Sequence, residues 1–205
     1  LLVSLKYNET QGRWDYSLIN ITRDLFIPEM SYVPRESTQD SATNGTVWNG
    51  NTGYNRINQN EWTRGYTQAD FYDTITRITG LMPNIHIHIG DSHLFVDYID
   101  KILGGLDVCM TEGVNDPNFN LFLEPGKCYT LDGESAVYTA VSRKTTSLGS
   151  RMARQLDIFN SMLPEILSAY EADPAKFLAT LELLNQYQDN GKFFVRDTSQ
   201  AYALP

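Results

Sequence analysis

No stretch of this chain approaches the 18–20 consecutive apolar residues that cross a bilayer as a helix. Cysteine is scarce, and Cys109 and Cys128 stand too far apart for a CxxC metal or redox motif. There is no Gly-x-Ser-x-Gly nucleophile elbow and no Gly-rich phosphate loop, which excludes the serine hydrolases and the P-loop enzymes that need them. Basic charge is also short, with 16 Lys+Arg against 25 Asp+Glu and a net charge of −9. A general nucleic-acid binder would present a basic face, so nucleic acid is not an expected partner. Internal repeats and low-complexity tracts are missing as well. The chain opens at Leu1 without Met, basic n-region or signal-peptide core, so a trimmed piece is expected, with more of the protein upstream.

What is present describes one globular domain over residues 1–205, 41% hydrophobic and 20% charged, long enough to bury roughly 70% of its unfolded surface. Leu1–Leu5 and Tyr16–Ile21 flank a polar turn and predict a β-hairpin. From Pro28 to Asn60 the chain is rich in Ser, Thr, Asn and Gly without a period, which predicts a long loop. Thr67 caps an expected helix to Thr79, with Phe71, Ile75 and Ile78 on one face and Gly80 as its stop. Ile85–Ile89 alternates strictly and predicts a strand, and a helix capped by Asp91 or Ser92 ends at Gly104-Gly105. Leu106–Met110 predicts another strand, with turns at Asp116-Pro117, Pro125-Gly126 and Leu131-Asp132-Gly133. Apolar residues from Met152 to Leu167 predict a long amphipathic helix over Ser150–Tyr170, kinked at Pro164, and Pro174 opens a last helix. Strands interleaved with helices make the class α/β or α+β, a mixed central sheet flanked by helices.

One stretch opposes the overall charge. Between Ser135 and Leu156 there is no Asp or Glu, while Arg143, Lys144, Arg151 and Arg154 fall within twelve residues. Arg151 and Arg154 are three apart and share a helix face at the start of the long helix, where unpaired N–H groups and the dipole already favour an anion. Arginine forks hold phosphate bidentately, so the cluster is a candidate anion pocket; pairing with surface carboxylates is the plainer alternative. His86 and His88 share one strand face at a spacing that zinc sites use, but a metal needs further ligands, and half-exposed strand residues are the simpler account. Asp97 and Asp100 read as solvated charge. The two cysteines are either buried thiols or a disulfide contributing about 3 kcal/mol.

Several segments, in order, resemble the LytR-CpsA-Psr family of cell-envelope proteins. They are the hairpin ending in Arg23-Asp24; Arg56-Ile57-Asn58 followed by Gly65; the strand at Ile85 with its helix and Gly104-Gly105-Leu106-Asp107-Val108; Leu131-Asp132-Gly133 after Pro125-Gly126; and Arg143 followed by Arg151-Met152-Ala153-Arg154-Gln155. Together they reach to about residue 170. The chain departs from the family in having Thr22 for a proline and Val141-Ser142-Arg143 for Arg-x-Arg on the strand before the long helix. It also has Ser147–Ser150 where an aspartate is common.

The resemblance implies an extracytoplasmic, membrane-anchored phosphotransferase of the cell envelope. It would move an anionic glycopolymer, such as teichoic acid, from a polyprenyl-pyrophosphate carrier to peptidoglycan. A non-catalytic carrier-binding or scaffold domain, or a carrier pyrophosphatase, is the alternative. Carried over by position, Arg23, Arg143, Arg151 and Arg154 grip the phosphates, Gln155 bonds a phosphate oxygen, and Asp24 orients an arginine or lies near the metal. Lys144, Arg56 and Asn58 join the binding set. The family's Mg²⁺ is the implied cofactor, and its aspartates and the membrane anchor are expected upstream of Leu1. Cys109 and Cys128 occupy positions where members pair their cysteines, which implies a disulfide.

Overall fold

A computed structural model describes residues 1–20, 25–26, 47–48, 68–144 and 147–199. They fall into two compact units. One gathers Val3–Asn20 and Ile87–Phe194; the other takes the described residues between Ile21 and His86 and those from Val195 on.

β1 (Leu2–Asn8) and β2 (Arg13–Ile19) form the expected hairpin. Asn8 Oδ1 accepts from the Gln11 N–H at 3.1 Å, and Gly12 supplies the left-handed φ of +61° that the turn requires. β3 (Leu25–Phe26) pairs antiparallel with β4 (Val47–Trp48), a two-residue strand inside the expected loop, most of which lies outside the described residues.

α1 (Gln68–Thr79) ends where Gly80 turns left-handed, its N–H on Thr76 O at 2.7 Å. The expected cap, Thr67, lies outside the described residues. Among the described side chains of this helix Tyr72 and Ile75 are buried, and the apolar pattern alone passed over Tyr72. β5 (Ile85–Ile89) has the expected period with an unexpected sense: Ile85 and Ile87 are exposed, and the histidines between them are half-buried. Each imidazole is occupied by the protein itself. His86 Nδ1 lies 2.8 Å from the Tyr72 hydroxyl, and His88 stacks on Phe194 with ring centroids 4.8 Å apart.

α2 (His93–Asp97) continues as a π-helical turn, Tyr98–Leu103, and stops at Gly104 with φ +74°. Ser92 holds the N-cap position but makes no side-chain cap bond; Asp91, the residue before it, accepts from the His93 N–H through Oδ1 at 2.9 Å. β6 (Leu106–Cys109) follows. β7 (Val114–Asp116) and β8 (Leu121–Leu123) are joined by a 3₁₀ turn over Pro117–Phe119 and pair antiparallel, and β9 (Cys128–Leu131) returns beside β6. Cys109 lies opposite Cys128 in that register, and the two form a disulfide.

Leu131-Asp132-Gly133 is the start of a helix rather than a simple turn, a correction to the sequence reading. Asp132 Oδ1 caps α3 (Gly133–Val141) by accepting from the Ser135 N–H at 2.7 Å. A Cβ at position 133 would lie 2.5 Å from Val96 O, so only glycine lets α3 approach α2 here. Val141 ends this helix and Ser142 is its C-cap, so Val141-Ser142-Arg143 is a helix exit and not the strand the resemblance implied. α4 (Leu148–Ala172) runs through Pro164, and α5 (Pro174–Asp189) opens at Asp173, whose side chain accepts from the Lys176 N–H. β10 (Phe193–Asp197) pairs with β5 and was not expected from the sequence.

The class is mixed α+β, with the sheet present among the described residues as two-stranded pieces flanked by helices. Ile99, Leu106, Val108, Met110, Ile158 and Met162 form the centre of the buried cluster. Each contributes about 1.5–3 kcal/mol on leaving water. This core fixes α3 and α4 against β6–β9.

Candidate functional site

The described part of the positive stretch covers the exit of α3 through Lys144 and the first turns of α4. Ser147 Oγ caps α4 by accepting from the Ser150 N–H at 3.1 Å. Arg143 and Lys144 stand exposed on the turn, and Arg151 is half-buried on α4.

Arg154 differs from all three. It is 0% exposed, and its guanidinium donates to three backbone carbonyls: Nε to Thr139 O at 2.8 Å, Nη2 to Ser142 O at 2.8 Å, and Nη1 to Gly113 O at 3.4 Å. Burial pushes its pKa down and Arg151 pushes the same way, while Glu112 and Asp157 oppose the shift. An arginine stays charged under such pressure, so a buried cation ties α3 and the residue before β7 to α4. The hydrogen bonds give Arg154 a role in the frame that sequence spacing could not assign.

Ser142 is held from its other side as well. Its hydroxyl donates to Asp116 Oδ2 at 2.6 Å, and both residues are buried. Asp116 also accepts from the Asn118 N–H, and Asp157 accepts from the Thr111 N–H and hydroxyl. These residues were missed in the sequence. A usable signal was there for Asp116, which shares a strand face with the core residue Val114.

Gln155 joins the hairpin to this region. Its Oε1 accepts from Asn20 Nδ2 at 2.9 Å, and its Nε2 donates to Ala140 O at 3.2 Å. Asn20 Nδ2 also reaches Met152 O at 3.4 Å. Asn20, just past the end of β2 and three residues before Arg23 in the chain, is thereby fastened to the turns that carry Arg151 and Arg154. Arg23, Asp24, Arg56 and Asn58 lie outside the described residues.

For the implied magnesium ion, no three of His, Cys, Asp or Glu stand together as ligands among the described residues, and Asp116 and Asp157 are held by protein donors. The described residues do not fit the ion, and no step below passes through it. Among the described residues an open cleft of about 620 Å³ is lined by Met82, Pro83, Ile85, Val195 and Thr198. It contains none of the expected site residues. No described helix is long and apolar enough to cross a membrane.

This arrangement of hairpin, disulfide-linked strands and arginine-bearing helix has the fold of the LytR-CpsA-Psr proteins, the class the sequence resembles. Bacillus subtilis TagV is similar over 95% of this chain, with a TM-score of 0.55 and 16% identity. B. subtilis TagU is similar over 98%, with a TM-score of 0.52 and 17% identity, and Streptococcus agalactiae gbs0355 over 95%, with 0.55 and 15%. The chain spans 64% of the TagV structure, 73% of TagU and 58% of gbs0355. No protein-family model matches the sequence, and no curated protein matches it significantly.

Proposed function

We propose that this chain is the pyrophosphate-gripping part of an extracytoplasmic phosphotransferase that moves an anionic glycopolymer from a polyprenyl-pyrophosphate carrier to peptidoglycan. The observation that carries the reading is the Asn20–Gln155 bond, which fastens the end of the hairpin, three residues before Arg23 in the chain, onto the part of α4 that bears Arg151. The fold shared with TagV and TagU supports it, and the disulfide fits an oxidising compartment.

In this reading a peptidoglycan hydroxyl attacks the sugar-bearing phosphorus. The bond to the bridging oxygen breaks, polyprenyl phosphate leaves with the electron pair, and the hydroxyl proton passes to solvent. Negative charge grows on the departing phosphate, and Arg143, Lys144 and Arg151 stabilise it, with Arg23 completing the grip. Asp24 orients an arginine, and Arg56 and Asn58 belong to the same binding set. Arg154 and Gln155 hold the frame.

The test is titration of the full chain with a medium-chain polyprenyl pyrophosphate, followed by native mass spectrometry. Arg23→Ala and Arg151→Ala each lose binding while the circular dichroism of the native fold is kept; unchanged binding in both overturns the reading. The burial of Arg154 favours a second reading, a carrier-binding domain without transfer. Product analysis with carrier-linked polymer and peptidoglycan separates them, since only a transferase joins the two and a pyrophosphatase leaves free polymer phosphate.

A further inference from the structure

We propose that Asp116, Ser142 and Arg154 form a buried clamp whose work is to aim Arg143 and Lys144 at the anion, which makes all three positioning residues. The proposal rests on the anion-gripping reading above and assigns its geometry to residues that touch no ligand.

Ser142 stands immediately before the two exposed cations, and each of its polar groups is fixed. Its N–H donates to Tyr138 O at 2.9 Å, its carbonyl accepts from Arg154 Nη2 at 2.8 Å, and its hydroxyl donates to Asp116 Oδ2 at 2.6 Å. These three bonds come from three elements: α3, α4 and the end of β7. Ser142, Asp116 and Arg154 are at most 3% exposed, so water does not compete for these groups. The Lys144 N–H reaches back to the same hydroxyl at 3.4 Å. With φ −54° and ψ 134° at Ser142, the chain leaves the helix in one fixed direction. Exposed Arg and Lys side chains otherwise sample many rotamers, and ordering them costs affinity. A rigid base does not freeze the side chains, but it fixes where their Cα atoms start. That is how a buried hydrogen-bond set far from any ligand sets an affinity for one.

The experiment measures the Kd of the full chain for geranylgeranyl pyrophosphate by isothermal titration, at a temperature where circular dichroism shows each variant folded. Ser142→Ala weakens binding about tenfold, the equivalent of one lost hydrogen bond. Asp116→Asn, which keeps an acceptor for the hydroxyl, weakens it less and serves where Ser142→Ala does not fold. The decisive readout is the same pair of substitutions in an Arg143→Ala/Lys144→Ala background. There the clamp has nothing to aim, so neither substitution changes the residual affinity further. A general structural loss would instead add fully in that background, and that result overturns the clamp. Unchanged affinity in Ser142→Ala and Asp116→Asn, with affinity lost in Arg143→Ala/Lys144→Ala, overturns the clamp and leaves the anion site standing. Unchanged affinity in Arg143→Ala/Lys144→Ala overturns the underlying reading.

Discussion

Replacing Arg154 by alanine removes three donors from a place that solvent does not reach. Thr139 O and Ser142 O each lose a charge-assisted bond of 2.8 Å, and Gly113 O loses a longer one. A hydrogen bond to a charged group contributes about 1.5–3 kcal/mol, and the carbonyls left behind are buried without water to replace the guanidinium. The loss from the two short bonds alone is therefore about 3–6 kcal/mol, which in a chain of this size lowers Tm by roughly 6–24 °C. Arg154→Met separates volume from hydrogen bonding, because it fills the space and offers no donor; it recovers little. Arg154→Lys brings a compact ammonium in place of a planar fork and recovers part of the loss. Differential scanning calorimetry without ligand reads all three variants. A Tm within about 2 °C of the parent in Arg154→Ala, together with lost pyrophosphate affinity, would refute this reasoning and return Arg154 to the phosphate-gripping role the family resemblance implied.

Two further expectations concern other parts of the fold. Cys109→Ser/Cys128→Ser opens a cross-link between residues 19 apart and lowers stability by about 3 kcal/mol, read as a fall in the urea midpoint that reductant reproduces in the parent. Asp91 accepts from Lys192, from the His93 N–H and from the His93 ring, and these bonds hold its carboxyl well below the usual carboxylate range. The folded state therefore binds fewer protons, so the contribution of Asp91 is complete above pH ~4 and fades as pH falls through the folded-state pKa. The Tm difference between the parent and Asp91→Asn is expected to shrink below pH ~4; a difference constant with pH would contradict it.

Long-period features were legible in the sequence because one face of each element meets the core. The hairpin, α1, β5, β6, α4 and α5 follow from spacing, Gly stops and Pro starts. What was not legible depended on partners distant in the chain. β5 alternates as expected, yet nothing in Ile-His-Ile-His-Ile says that Tyr72 and Phe194 would take the histidines and leave Ile85 and Ile87 outside. Leu131-Asp132-Gly133 carries both a turn signal and a helix-cap signal, and the contact with Val96 that decides between them lies in α2. At the site, the density of arginine was visible. The division of labour was not, since spacing places Arg151 and Arg154 on one face and only the carbonyls around Arg154 make it an internal tie.

The disulfide also governs what happens when the chain is cut. Cys109 and Cys128 enclose the whole β7–β8 hairpin, and its tip carries exposed Phe119 and the left-handed Asn120, the kind of loop that proteases nick first. A nick there separates Asp116 from β8 in sequence but not in covalent linkage, because β6 and β9 remain stapled in register. The nicked protein would run as one species on a non-reducing gel and as two after reduction. In an environment rich in secreted proteases, the cross-link thus keeps a cleaved chain in one piece, with the arginine-bearing half still attached to its hairpin half.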